Sequence, residues 1–110
     1  MRLVELEPRF LQRVDDYHFQ NVEQIGDADG ICFVCPKCFA GNGMKRPGVH
    51  AVICWEPNVP QTTSPTPGRW EMLGTGFEDL TLRAGSSSIL LTGEGCQAHF
   101  FIEAGQIRFA

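Results

Sequence analysis

Two short stretches carry side chains able to hold a soft metal ion: Cys35-Pro36-Lys37-Cys38 and Cys96-Gln97-Ala98-His99. Each sets two donors three residues apart. Zinc takes four nitrogen or sulfur ligands in a tetrahedron, and a turn at this spacing lets two donors converge. The pattern predicts a zinc ion on Cys35, Cys38, Cys96 and His99, pinning an early knuckle to the last hairpin. Three thiolates and an imidazole fill all four positions, so the expected site is closed and structural. A catalytic zinc would keep one position for water. The plainer alternative is a set of small buried thiols and a satisfied histidine.

Rival chemistries use some of the same residues. Cys32, Cys35 and Cys38 recur every third position, and Cys54 or Cys96 could complete an iron–sulfur cluster. Strand alternation puts Cys32 and Cys35 on opposite faces, which argues for Cys32 and Cys54 as core thiols. His50 is read either as an edge histidine bonded to backbone, as an alternative ligand, or as an acid/base beside the metal. Trp55, Arg69 and Trp70 join His50 as candidates for a pocket or binding surface, since Trp and Arg favour interfaces; a core role suits the tryptophans equally. Two functions follow. One is a non-enzymatic structural or protein-interaction module. The other is a small zinc-dependent hydrolase with His50 or Glu56 beside a three-ligand zinc. No Ser-His-Asp arrangement stands out. Asp27-Ala28-Asp29-Gly30 lacks the later oxygen ligands of a calcium loop and reads as a turn. Gly74-Thr75-Gly76 lacks the Lys of a phosphate loop. Glu78 and Asp79 read as solvated turn residues, and His18 as a surface residue.

Short strands must position these groups. Ile31–Cys35 alternates, with Ile31, Phe33 and Cys35 on one face and Cys32 and Val34 on the other. Val49–Glu56 alternates likewise, with Val49, Ala51, Ile53 and Trp55 opposed to His50, Val52, Cys54 and Glu56. Residues 57–68 hold four prolines and form a loop that can be neither helix nor central strand. Further short strands are expected at Arg69–Leu73, Leu80–Leu82 and Ser88–Thr92, and a hairpin at His99–Ala104 and Gln106–Phe109 around Gly105. Turns fall at Gly41-Asn42-Gly43, Pro47-Gly48 and Gly93-Glu94-Gly95. The first residues suggest a short strand up to Glu7, then a helical turn over Phe10–Val14. The fold class is all-β with minor helix: a small sandwich or rolled antiparallel sheet.

With 110 residues, a single domain over 1–110 is expected, with a core of its own. A net charge of −4 argues against a nucleic-acid binder, which should show a basic face. Lys45-Arg46 reads as a solvated loop pair. Acidic residues interrupt the first stretch, which therefore reads as neither signal peptide nor anchor. No apolar run nears the roughly 20 residues of a membrane span. A cytoplasmic, soluble protein is expected, and there five cysteines suit metal or core thiols better than disulfides.

The chain also resembles an uncharacterised family of small phage and prophage proteins found in bacterial genomes. The likeness runs over roughly residues 28–109. It is carried by Ala28-Asp29-Gly30-Ile31-Cys32-Phe33-Val34-Cys35-Pro36-Lys37-Cys38, Gly48-Val49-His50, Pro67-Gly68-Arg69-Trp70, Gly74-Thr75-Gly76, Asp79-Leu80-Thr81-Leu82, Cys96-Gln97-Ala98-His99-Phe100-Phe101-Ile102 and Gly105-Gln106-Ile107. The resemblance implies a compact β-rich zinc domain with ligands at Cys35, Cys38, Cys96 and His99. It implies residence in a bacterial host cell and a phage or host protein as partner. It brings no biochemical activity. An oxygenase role has no support, for the chain lacks a two-His-one-carboxylate set at recognisable spacing. The family has Pro-Ser after its Asp-Leu-Thr-Leu motif, where this chain reads Arg83-Ala84-Gly85-Ser86-Ser87-Ser88.

Overall fold

The computed structural model describes residues 1–44, 49–83, 89–90 and 97–110. The expected Lys45-Arg46 loop pair, the Pro47-Gly48 and Gly93-Glu94-Gly95 turns, the residues around Gly85, and Cys96 lie outside the described residues. So do Ser88, Leu91 and Thr92 of the strand expected at Ser88–Thr92.

Short apolar-rich runs build most of the strands. They are β1 (Arg9–Arg13), β2 (Phe19–Val22), β3 (Gly30–Val34), β4 (Ala51–Trp55), β5 (Glu71–Leu73), β6 (Thr81–Arg83), β7 (Ile89–Leu90), β8 (His99–Glu103) and β9 (Gln106–Phe109). One short helix, α1 (Pro36–Gly41), follows β3. Among the described residues all pairings are antiparallel, in a four-stranded sheet ordered β2-β1-β3-β4, a ribbon β5-β6 and a three-stranded sheet β7-β8-β9. The all-β class expected from the sequence is the class observed.

The main core lies between the four-stranded and three-stranded sheets. Ile31, Phe33, Val52 and Cys54 meet Leu80, Leu82, Ile89, Phe100, Ile102 and Ile107 there. Phe33 meets Phe100 edge-on, with centroids 6.0 Å apart. The other face of β3 and β4 has its own cluster of Leu11, Cys32, Trp55 and Val59. β3 is therefore buried along its whole length. Gly30 sits opposite Trp55, and a Cβ there would collide with the indole and with the Cys54 carbonyl.

The first fourteen residues reverse the expectation. Leu3–Leu6 is a 3-10 turn, and Arg9–Arg13 is a strand. Leu3 and Leu6 are both fully buried, and a three-residue period brings them to one side. Phe10 and Leu11 are adjacent and both buried because β1 is covered on both faces: Phe10 stacks on Phe77 and Leu11 joins the outer cluster.

The hairpin β8–β9 turns through Ala104 and Gly105, both at positive φ, and a side chain at Gly105 would strike the Glu78 carbonyl. Gly105 also ties neighbours together: its N–H donates to the Leu80 carbonyl, and its carbonyl accepts from Leu3, each at 2.8 Å. No helix among the described residues is long and apolar enough to cross a membrane.

Candidate metal centre

The site is built where β3 runs into α1. Pro36 takes the first helical position, where its missing N–H costs nothing and its fixed φ suits the turn. Cys35 is the last extended residue, and its carbonyl accepts from Phe39 at 2.9 Å as the helix begins. One turn on, Cys38 lies near Cys35. The knuckle is thus a helical turn, where the spacing suggested a tight turn presenting N–H groups to sulfur.

The third donor arrives through sheet register. β3 and β4 pair Phe33 with Val52 and Val34 with Ala51. The next pair in that register is Cys35 with His50, and the Cys35 N–H donates to the His50 carbonyl at 2.9 Å. Directly opposed residues have Cβ atoms about 4.5–5.5 Å apart on the same face. The ligand atoms of Cys35, Cys38 and His50 accordingly all lie within 4.8 Å of one another. Around zinc, with bonds of about 2.0–2.3 Å, tetrahedral ligand atoms stand roughly 3.5–3.8 Å apart. Burial grades across the group: Cys35 is enclosed, Cys38 half-buried and His50 exposed.

Cys35, Cys38 and His50 therefore lie close enough to hold a metal ion. Their chemistry is soft: two sulfurs and one imidazole, with no carboxylate in the cluster among the described residues. That set suits zinc or another thiophilic ion and is unsuited to calcium or magnesium.

The structure brings Cys35 and Cys38 together and adds His50. His99 is not in the cluster. Phe100 and Ile102 point into the core from β8, so alternation turns His99 outward, where its exposed ring stacks near Phe101. Cys96 lies outside the described residues.

The other nominated residues sit elsewhere. Trp55 is 2% exposed, and its indole N–H donates to the Ser64 carbonyl at 2.9 Å. Arg69 lies inside the proline-rich loop, donating to the carbonyls of Val59, Pro60, Thr63, Pro65 and Gly68. Burial lowers its pKa below the ordinary guanidinium value. Trp70 is half-buried, packs against the main core and donates its backbone N–H to the Trp55 carbonyl. Trp55 thus takes the core role that suited the tryptophans equally, and Arg69 serves the loop instead of a binding surface. Their polar groups are turned inward and spent on their own chain.

Glu56 follows β4 at its far end. The five residues of β4 separate it from His50, a span of about 20 Å. Burial raises its pKa, and its carboxylate accepts from the Met72 N–H at 3.4 Å. It stands too far off to act on an ion held by His50.

Among the described residues the iron–sulfur arrangement is not formed either. Cys32 belongs to the outer cluster, across β3 from Cys35, and Cys54 is enclosed in the main core. Burial, with the neighbouring Cys32, pushes the Cys54 thiol far up. Such a thiol stays protonated and inert.

Asp79 is a turn residue, as expected. Its carboxylate accepts from the Thr75 N–H, the Gly76 N–H and the Thr75 hydroxyl, which hold it below the usual carboxylate range. Asp29 likewise serves the backbone, accepting from the Arg13 N–H at 2.8 Å. His18 is exposed beside Asp15.

No family model, curated protein or solved structure matches the chain.

Proposed function

We propose that the protein binds one zinc ion through Cys35, Cys38 and His50, and that the ion is structural, serving a non-enzymatic interaction module. The observation that carries this is the convergence of two sulfurs and an imidazole within 4.8 Å at the β3–α1–β4 corner. Cys96 is the fourth ligand in this reading, on the strength of its place in the sequence. The ion would then tie the β3–α1 corner to the segment that precedes β8. A phage or prophage origin, residence in a bacterial cytoplasm and a phage or host partner belong to the same proposal, and rest on the residue resemblance.

The hydrolase alternative named two acid/base groups. His50 is a ligand in this arrangement, and Glu56 is distant, so neither remains to activate a water.

Zinc content by elemental mass spectrometry and the metal's X-ray absorption edge test the reading. Wild-type protein should carry one zinc per chain with mixed sulfur and nitrogen ligation. Cys35→Ser, Cys38→Ser and His50→Ala should each lose most of it, and His99→Ala should keep it. Cys96→Ser separates the closed from the open site: a closed site loses zinc, an open one retains it with a water ligand. Full zinc occupancy in both Cys35→Ser and His50→Ala would overturn the proposal.

A further inference from the structure

Two cysteines at this spacing permit a second chemistry besides metal binding. The Cα atoms of Cys35 and Cys38 are set apart by Pro36 and Lys37, both in the first turn of α1. Helical geometry fixes that separation at about 5 Å, inside the roughly 4.4–6.8 Å window of a disulfide. The two sulfurs lie within 4.8 Å of each other.

Neither of the other cysteines among the described residues competes for them. Cys32 belongs to the outer cluster, across β3 from Cys35. Cys54 is enclosed in the main core, where burial keeps its thiol protonated. Access to the pair is unequal. Cys35 is fully enclosed, Cys38 is half-buried and His50 is exposed. An oxidant arriving from solvent therefore meets Cys38 first.

We infer that this corner is a redox switch: a small-molecule disulfide oxidises Cys35 and Cys38 to an internal disulfide and so expels the zinc. The inference rests on the zinc reading above and adds how the site is regulated. The Cys38 sulfur attacks one sulfur of the incoming disulfide RSSR, forming a mixed disulfide and releasing one RS⁻. The Cys35 sulfur then attacks the Cys38 sulfur, forming the internal bond and releasing the second RS⁻. Two electrons pass from the cysteine pair to RSSR. The ion loses two sulfur donors and leaves as Zn²⁺, and the two RS⁻ take up protons from water.

The exchange changes what the corner is tied to. The ion joins α1 to His50, the residue before β4, whereas the disulfide links two residues of a single turn. So short a loop constrains the unfolded chain little. Oxidation therefore replaces a cross-strand tie by a local one and loosens α1 against β4.

The test uses the full chain loaded with zinc, in buffer free of thiols. Excess oxidised glutathione is added while a chromogenic chelator reads released zinc. Nearly all the zinc should be released, in step with the loss of two thiols per chain, and peptide mapping should find Cys35 joined to Cys38. Dithiothreitol with added zinc should restore the original content. Cys96→Ser should form the same disulfide. In chelated wild type, a brief pulse of iodoacetamide should alkylate Cys38 ahead of Cys35. Wild type that holds no zinc before oxidation overturns the zinc reading and this inference with it. Zinc that is held and stays bound through the glutathione treatment overturns this inference alone. So does a disulfide that needs Cys96, alkylation of Cys35 first, or a zinc loss that reduction does not reverse.

Discussion

The two ends of β4 solve the problem of an irregular corner in different ways. Beyond Trp55, the proline-rich loop satisfies itself. Arg69 gathers five carbonyls, the Trp55 indole takes a sixth, and Thr63 bridges Arg13 and Asp16. Among the described residues no buried side-chain nitrogen or oxygen lacks a partner. At the His50 end the converging groups are electron-pair donors of soft type. Two sulfurs so close, once ionised, would repel each other unless a cation lay between them. Unusual residues at a loop are therefore a poor guide to function by themselves. What separates a fastening from a site is whether the groups can complete one another.

The contrast can be broken experimentally. The largest effect should come from the His50 end: stripping the proposed zinc with a chelator, or Cys35→Ser, should lower stability to urea by at least about 3 kcal/mol, with added zinc restoring the chelated wild type only. A loss as large in a variant that never bound metal would erase the distinction. Next comes Arg69→Ala, which leaves several carbonyls without their donor. It should cost about 2–4 kcal/mol by urea denaturation while zinc content stays at one per chain. Trp55→Phe removes one hydrogen bond and part of a ring, at about 1–2 kcal/mol, again without moving zinc. A drop in zinc with either variant would show that the two ends are coupled.

The smallest effects concern pH. The Asp79 carboxyl is held low by the Thr75 and Gly76 N–H groups, so its folded form prefers the charge. That contribution is present at neutral pH and is lost as pH falls below about 4. Asp79→Asn should lower stability at pH 7 and flatten the acid limb of a stability–pH curve. Glu56 has the opposite sign, since burial raises its pKa and protonation favours the fold. Glu56→Gln should be slightly more stable than wild type at pH 7, with the gain shrinking toward pH 4. Parallel acid limbs for wild type and Asp79→Asn would remove this assignment.

Much of the fold was legible because β3 and β4 alternate cleanly, and each face of the sheet has its own core. Cys32 and Cys35 could be assigned to opposite sides on that basis alone. Cys35 and Cys38 were legible as a donor pair because one turn of chain brings them together. His50 was visible only as a residue of the right type. Its meeting with Cys35 depends on the register of two strands joined through α1, a long-range property. The displacement of His99 had a local signal: Phe100 and Ile102 must face inward, so the residue before them faces out. Trp55 and Arg69 misled because their partners are backbone carbonyls, which sequence does not display. The reversed start of the chain reflects β1 being buried on both faces, where adjacent apolar residues imitate a helix.

The double burial of β3 also bears on how the chain reaches this fold. A slip of one residue against β4 would send Phe33 to the outer cluster and Cys32 into the main core. It would also set His50 opposite Val34 or Pro36, where no sulfur faces it. An ion held at the corner as proposed would find Cys35, Cys38 and His50 together in only one of these alignments. It would act as a proofreader of strand pairing, penalising misaligned hairpins during assembly even where the finished sheet could stand without it.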